Sequence, residues 1–373
     1  MKELLDHSPE LLISVIGVGG CGCNTVNMLN EQDFSSSVRL IAVNTDLAVL
    51  NHSEVATKIL IGENLTNGYG AGADPAVGLK AAQESEEALR NAIKSSDIVI
   101  ITAGFGGGTG TGASPFIANV ARELGISCIA VSTLPFESES QMRMNYAMEG
   151  VEAIKEPAQA YITLSNDLLL KGLGESVGLF SAFKHSNEVL NNLLSSLVQM
   201  LTQSGYINVD INDFARIIAF EGESILGVGK AESEEQATDA VEQALSNPLV
   251  NNVDIASAQG VIIQVVCKSE PKASTYDGIL KAVNSKINHP SALIVAGVML
   301  EPEQDCEIKV LVIASGICTA DQAEVIEEKA LATDVDYLNE DLSFIQPEES
   351  LTDIPSVVRK MKALAAARER SSN

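Results

Sequence analysis

Gly106-Gly107-Gly108-Thr109-Gly110-Thr111-Gly112 limits this chain more than any other stretch. A β-branched run, Asp97 to Ala103, leads into it, and a helix-compatible run, Ala113 to Leu124, leads out. Strand, glycine loop and helix start, in that order, aim backbone N–H groups at a phosphate. Glycine admits positive φ and lets an anion approach the main chain, and Thr109 and Thr111 add hydroxyl donors. Five glycines in seven residues exceed what a turn needs. No Gly-Lys-Ser/Thr follows, so this is not a P-loop. Phosphate charge must be met by backbone dipoles, a metal ion and residues from elsewhere in the chain.

The surroundings read as α/β. Leu11 to Ile16 is a buried first strand, followed by Gly17-Val18-Gly19-Gly20-Cys21-Gly22 and a helix from about Asn24 to Leu29. Val38 to Val43 is a second strand, ending in Asn44-Thr45-Asp46. Gly68 to Ala73 is another glycine-rich loop, and Pro75 starts a helix through about Lys94. Ile126 to Val131 and Tyr161 to Leu164 are further strands, ending at Leu134-Pro135-Phe136 and Asn166-Asp167. Strands alternating with helices, with glycine or polar residues at the strands' carboxyl ends, predict a doubly wound parallel sheet with its ligand crevice along those ends. A long helix is expected from about Leu179 to Gln203, apolar on more than one stripe and therefore buried between two domains. Beyond it, a smaller α+β unit holds a helical stretch, Glu232 to Leu245, and strand-like runs at Val261–Cys267, Leu293–Met299 and Ile308–Ala314.

The expected organisation is a flexible terminus at 1–10, a nucleotide-binding domain at 11–178, a central helix at 179–204, a second domain at 205–317, a linker at 318–351 and a tail at 352–373. The linker carries ten acids against Lys329, a net −9, and repels itself. The tail reverses to a net +3. Overall the net charge is −26, which argues against a nucleic-acid surface and implies that self-association is opposed by repulsion and helped by cations. No leader precedes the six scattered cysteines and no apolar run reaches membrane-span length, so a reducing cytoplasm is expected. Cys21 and Cys23 form a C-x-C with no matching cluster, which suits small residues packed near phosphate better than a metal site.

The signature loop, and matches running in order from about Leu12 to Ile317, resemble the tubulin/FtsZ family, on the side of the bacterial division GTPases. The resemblance implies GTP and GDP with Mg²⁺, and admits a monovalent cation. It implies nucleotide contacts from Gly20, Cys21, Gly22, Cys23, Asn24 and Asn44, and from Gly107, Gly108, Thr109, Gly110 and Thr111. Cys21 and Cys23 stand where glycine is usual, which binding survives if both keep negative φ. Gly72 and Ala73 fall where the family senses the γ-phosphate, Glu139 and Arg143 where it contacts ribose and phosphate. Guanine needs a carboxylate for its two adjacent donors. Asn187 and Glu188 match the family's base site, where Asp is common, and Asn166 is a second candidate.

Asn208-Val209-Asp210-Ile211-Asn212-Asp213 matches the family's catalytic loop, with Asn208, Asp210 and Asp213 kept. In the family this loop enters the nucleotide site of the next subunit, so hydrolysis requires polymer. An acid near the γ-phosphate polarises the attacking water or organises a metal ion. The start of the tail, 352–365, resembles the family's adaptor-binding peptide: Ile354, Val357, Val358, Met361 and Leu364 make one helical stripe beside basic residues. On spacing alone, Glu139 and Arg143 are a surface pair at i, i+4, Glu188 is a solvated acid, and Asp210 and Asp213 are a cap and a turn. The resemblance favours a self-assembling division GTPase acting in the cytoplasm. Its rival is a paralogue that copolymerises and hydrolyses poorly, motivated by Cys21, Cys23, Glu188 and an altered Glu137–Met142 segment. A nicotinamide-dependent oxidoreductase, suggested by the first glycine loop and Asp46, leaves the signature loop without a use.

Overall fold

The computed structural model describes residues 11–317, leaving aside 33, 168–178, 204, 221, 246–254, 288 and 290. The terminus at 1–10, the acidic linker and the basic tail fall outside the described residues.

The chain opens on β1 (Ile13–Val18), a run buried at every position, which passes into α1 (Gly19–Asn30). Then come β2 (Val38–Asn44), α2 (Leu47–His52), β3 (Thr57–Leu60), α3 (Glu63–Thr66), α4 (Pro75–Glu84) and α5 (Glu86–Ile93). β4 (Ile98–Gly104), α6 (Thr109–Glu123), β5 (Ser127–Leu134), α7 (Gln141–Lys155) and β6 (Ala160–Ser165) complete the first sheet. Its order is β3-β2-β1-β4-β5-β6, all parallel. That is a doubly wound sheet whose order reverses between β1 and β4, the place where such folds open a ligand crevice. Successive side chains of β1 serve opposite faces: Ile13 and Val15 join one core, Ile16 and Val18 the other.

α8 (Leu179–Thr202) follows as the longest helix described. Leu190, Leu193, Leu194, Leu197 and Val198 are buried in one core with β6, with α9 (Ile211–Ile218) and with the second sheet. The helix shares its core with elements of both sheets. The second sheet is built from β7 (Glu223–Ala231), β8 (Gly260–Cys267), β9 (Leu293–Leu300) and β10 (Ile308–Ile317), in the order β7-β10-β8-β9. β10 runs antiparallel to both neighbours and β8 parallel to β9. α10 (Ala237–Leu245) and α11 (Ala273–Asn284) pack with it around a third core.

Several elements differ from the sequence reading. Both glycine loops turn helical earlier than propensity allows, α1 at Gly19 instead of Asn24 and α6 at Thr109 instead of Ala113. The helix expected over Pro75–Lys94 breaks at Ser85 into α4 and α5. The edge strand β3 and the strand β7 carry no strong period and were not expected. The stretch Glu232–Leu245 begins with a 3₁₀ turn, Glu234–Gln236, before α10.

Cys128 on β5 is wholly buried, and that burial pushes its thiol up to about 12. Above the ordinary thiol value near 9 the unfolded chain releases this proton and the folded chain keeps it. Stability therefore falls as pH rises through that window. Urea unfolding at pH 8 and pH 10.5 is expected to show the native protein losing about 2 kcal/mol more than Cys128→Ala over that interval.

Candidate functional site

β1 and β4 lie side by side, and each delivers a glycine loop and a helix to the same end of the sheet. Gly19 begins α1 with φ +72°, a conformation that a side chain resists. Gly22 lets α1 approach the sheet: a Cβ there would stand 2.3 Å from the Thr102 carbonyl oxygen. The two loops touch, since a Cβ on Gly19 would reach within 2.9 Å of the Gly110 nitrogen.

Neither α1 nor α6 has a side-chain cap, and neither carries an acid in its first turn. Asp46, Asp74, Ser140 and Asp210 cap α2, α4, α7 and α9, while α3, α5 and α11 share the lack of a side-chain cap. Two uncapped N-termini thus point orphan N–H groups and the positive ends of two helix dipoles into one cleft of about 620 Å³. Gly20, Asn24, Gly107, Gly108, Thr109 and Gly110 line it. Around Gly20 and Gly107 a Cβ would meet nothing within 4 Å, so their bare faces look into open space.

Cys21 also lines the cleft, with Sγ 3.6 Å from Thr133 Oγ1. Burial raises its thiol, against a smaller opposing effect of the Thr133 hydrogen bond. Cys23 turns inward, fully buried, and its thiol is pushed up to about 11 by that burial. Both cysteines avoid the left-handed region, which among described non-glycine residues holds only Asn67 and Ala73. Asn44 is buried with Nδ2 3.8 Å from Cys23 Sγ and lies off the cleft lining. Thr111 holds its own loop: its Oγ1 accepts the Gly106 N–H at 2.8 Å. Thr109 Oγ1 shares a 2.7 Å hydrogen bond with Thr45 Oγ1.

Gly72 and Ala73 are consecutive left-handed residues outside the cleft lining. Their loop leans on the signature loop, because a Cβ on Gly108 would come within 2.8 Å of Ala71 Cβ and 2.9 Å of the Asp74 nitrogen. At the opposite wall Arg143, in the first turn of α7, forms an ion pair with Glu139 and donates from Nε to the Gly106 carbonyl at 3.3 Å. Glu139 in turn accepts the Phe136 N–H at 3.0 Å. Glu139 is the one carboxylate among the described lining residues, and it is engaged twice.

At the far end stand Asn166, Ser186 and Asn187. Asn166 Oδ1 accepts the Ser186 hydroxyl at 2.7 Å. Glu188 is off the lining, half-exposed, with Lys184 at 3.6 Å. Asn208, Asp210 and Asp213 lie after α8, none of them in the cleft. Asn208 Oδ1 accepts the Gly205 N–H, Asp210 Oδ1 accepts the Asn212 N–H at 2.6 Å, and Asp213 is in the first turn of α9. Beside them Tyr206 and Ile207 are exposed apolar residues. Ser186 and Thr133 were not singled out from the sequence. The available signal for Thr133 was its place at the carboxyl end of β5.

A family model described as the tubulin/FtsZ family GTPase domain matches residues 12–174, and one described as the FtsZ family C-terminal domain matches 222–318. The cell division protein FtsZ of Buchnera aphidicola is 36% identical over 330 residues, spanning 88% of this chain and 85% of that protein. The cell division protein FtsZ 1 of Pyrococcus horikoshii is 39% identical over 317 residues, 85% of this chain and 84% of its own length. Among solved structures, an empty FtsZ dimer from M. jannaschii superposes with a TM-score of 0.79 at 36% identity, covering 84% of this chain and 91% of that one.

Proposed function

The chain belongs to the tubulin/FtsZ family, on its FtsZ branch, and from that premise we propose how its own residues carry out the reaction. It is a GTP-binding, self-assembling GTPase of cell division. The triphosphate lies over the N-termini of α1 and α6, with Gly20 and Gly107 giving it room and Thr109 a hydroxyl. Arg143 adds a fixed cation beside the phosphates. Among the described residues no three His, Cys, Asp or Glu side chains converge on a metal. A Mg²⁺ ion bound with the nucleotide would neutralise phosphate charge at the mouth lined by Gly20, Gly107 and Thr109. A monovalent cation fits the same account as a charge screen.

The observation that carries the reading is a division of labour. Among the described residues the cleft holds anion-binding dipoles but no free acid, while Asp210 and Asp213 stand outside it beside exposed Tyr206 and Ile207. One subunit binds GTP; the next, stacked head to tail, brings Asp210 and Asp213 to orient water at the γ-phosphate. Asn208 holds the turn that presents them. Heterologous contacts of this kind build open filaments. The tail at 352–365 docks a membrane-tethering adaptor at the division site in the cytoplasm, the linker setting its reach.

Phosphate release measured against protein concentration tests the shared site. A threshold concentration, below which turnover nearly vanishes, is the expected result. Release linear in concentration from the lowest values would refute catalysis across the contact.

A further inference from the structure

A second cavity, of about 430 Å³, opens between α8 and the second sheet and shares no lining residue with the nucleotide cleft. Two lysines line it, Lys230 on β7 and Lys309 on β10. They are direct partners in the antiparallel register, so their Cβ atoms stand about 5 Å apart on one face of the sheet, where like charges repel. Among the described residues neither lysine forms an ion pair. Lys309 Nζ donates instead to the Gln199 amide oxygen on α8 at 3.3 Å. The acids of this wall, Glu301, Glu303 and Asp305, come from the segment joining β9 to β10, as does Cys306, a thiol raised by its burial. The described part of α8 brings no charge to the cavity. It brings Ser195, 7% exposed, one turn before Gln199, and the Ser195 hydroxyl has no hydrogen-bond partner. A buried hydroxyl left unpaired marks a place for an acceptor. Burial holds the Lys309 ammonium below the usual lysine range, with Lys230 adding to the effect and Cys306 and Glu301 opposing it. Desolvation and a second cation are together what make a lysine amine a nucleophile.

We propose that Lys309 is a carbamylation site that takes up CO₂. The lone pair of its neutral amine forms an N–C bond with CO₂, one C–O π bond opens onto an oxygen, and the proton released from nitrogen leaves through the open cavity to solvent. The amine becomes a carbamate, R–NH–COO⁻. Each feature of the wall then has a partner. The remaining N–H keeps its hydrogen bond to Gln199. One carbamate oxygen accepts the Ser195 hydroxyl, and the other pairs with the Lys230 ammonium, so that a repelling pair becomes an attracting one. Glu301, Glu303 and Asp305 oppose a further negative charge, so the carbamate depends on Lys230. A free anion would meet the same acids without a covalent tether. The group joins β10 to α8 reversibly, and it stands apart from the assignment of the nucleotide cleft.

The full-length protein equilibrated with ¹³C-labelled bicarbonate tests this by ¹³C NMR, with peptide mass mapping after the carbamate is trapped by a trialkyloxonium salt. The expected result is a carbamate mapped to Lys309, at least about tenfold more occupied than on any other lysine. At fixed dissolved CO₂ its occupancy should grow with pH, because only the neutral amine reacts. Lys309→Arg keeps the charge but forms no carbamate, and should remove that signal. Lys230→Met should lower the occupancy of Lys309 about tenfold or more, and Ser195→Ala about fivefold. Native protein with no carbamate on Lys309, or with Lys309 labelled no more than its exposed lysines, would overturn the proposal, as would undiminished occupancy in Lys230→Met. Trapping and mapping are read on the native chain, so the result is decided even where a variant fails to fold.

Discussion

Asp210→Asn is expected to lower phosphate release from GTP by about 10²-fold or more while polymer still sediments. Asparagine is the sharper replacement because Asp210 is also a helix cap. Its carboxylate caps α9 by accepting the Asn212 N–H at 2.6 Å, and asparagine caps nearly as well. Asp210→Ala removes the charge and also the cap, which costs about 1 kcal/mol of stability and confuses lost folding with lost chemistry. With asparagine the fold and the stacking contact are expected to persist, and what is removed is the acid proposed to orient water. Mixing this variant with native protein adds a second reading. If the acid serves the neighbour's nucleotide, turnover falls in proportion to the contacts carrying the variant loop. Full turnover in Asp210→Asn alone would remove Asp210 from the chemistry and leave Asp213 as the remaining acid of that loop.

Gly107→Val should abolish nucleotide binding, weakening it by about 100-fold or more, with the melting temperature unchanged. The expectation separates two kinds of glycine in one signature. A Cβ at Gly107 meets nothing of the protein within 4 Å, and its φ is not in the left-handed region, so valine is accommodated by the empty fold. Its methyls then stand in the space over which a phosphate approaches the backbone. Gly112, five residues on, is opposite in kind: a Cβ there would be 2.0 Å from the Pro75 carbonyl oxygen. Gly112→Val forces α4 and α6 apart and should fail to fold. Equilibrium binding of a fluorescent GTP analogue with thermal melts of both variants checks the pair. Undiminished binding in Gly107→Val would mean that the phosphates do not pass over this loop.

That contrast marks the limit of what the sequence disclosed. The glycine run announced an anion site, because glycines between a β-branched strand and a helix start let an anion reach the backbone. Which glycines face ligand and which face protein was decided by tertiary packing. The same holds for Glu188 and Asn187: Asn187 lines the cleft and Glu188, one residue on, pairs with Lys184. β7 escaped notice because Gly227 and Gly229 interrupt its pattern. They are there to admit the carbonyls of Ala244 and Ala240, each 1.8 Å from where a Cβ would sit. β3 is a four-residue edge strand with Thr57 and Lys58 exposed, too short to show a period.

α8 joins the base end of the cleft, through Ser186 and Asn187, to the segment that ends in Asp210. Its 24 residues make a rod about 36 Å long. In a head-to-tail stack this covalent rod acts as a ruler between the cleft and the loop that carries Asp210. If that spacing sets the subunit repeat, the repeat along a filament should hardly vary with the nucleotide state. Removing seven residues from its middle would shorten the repeat by about 10 Å and rotate the acid loop by only about 20°.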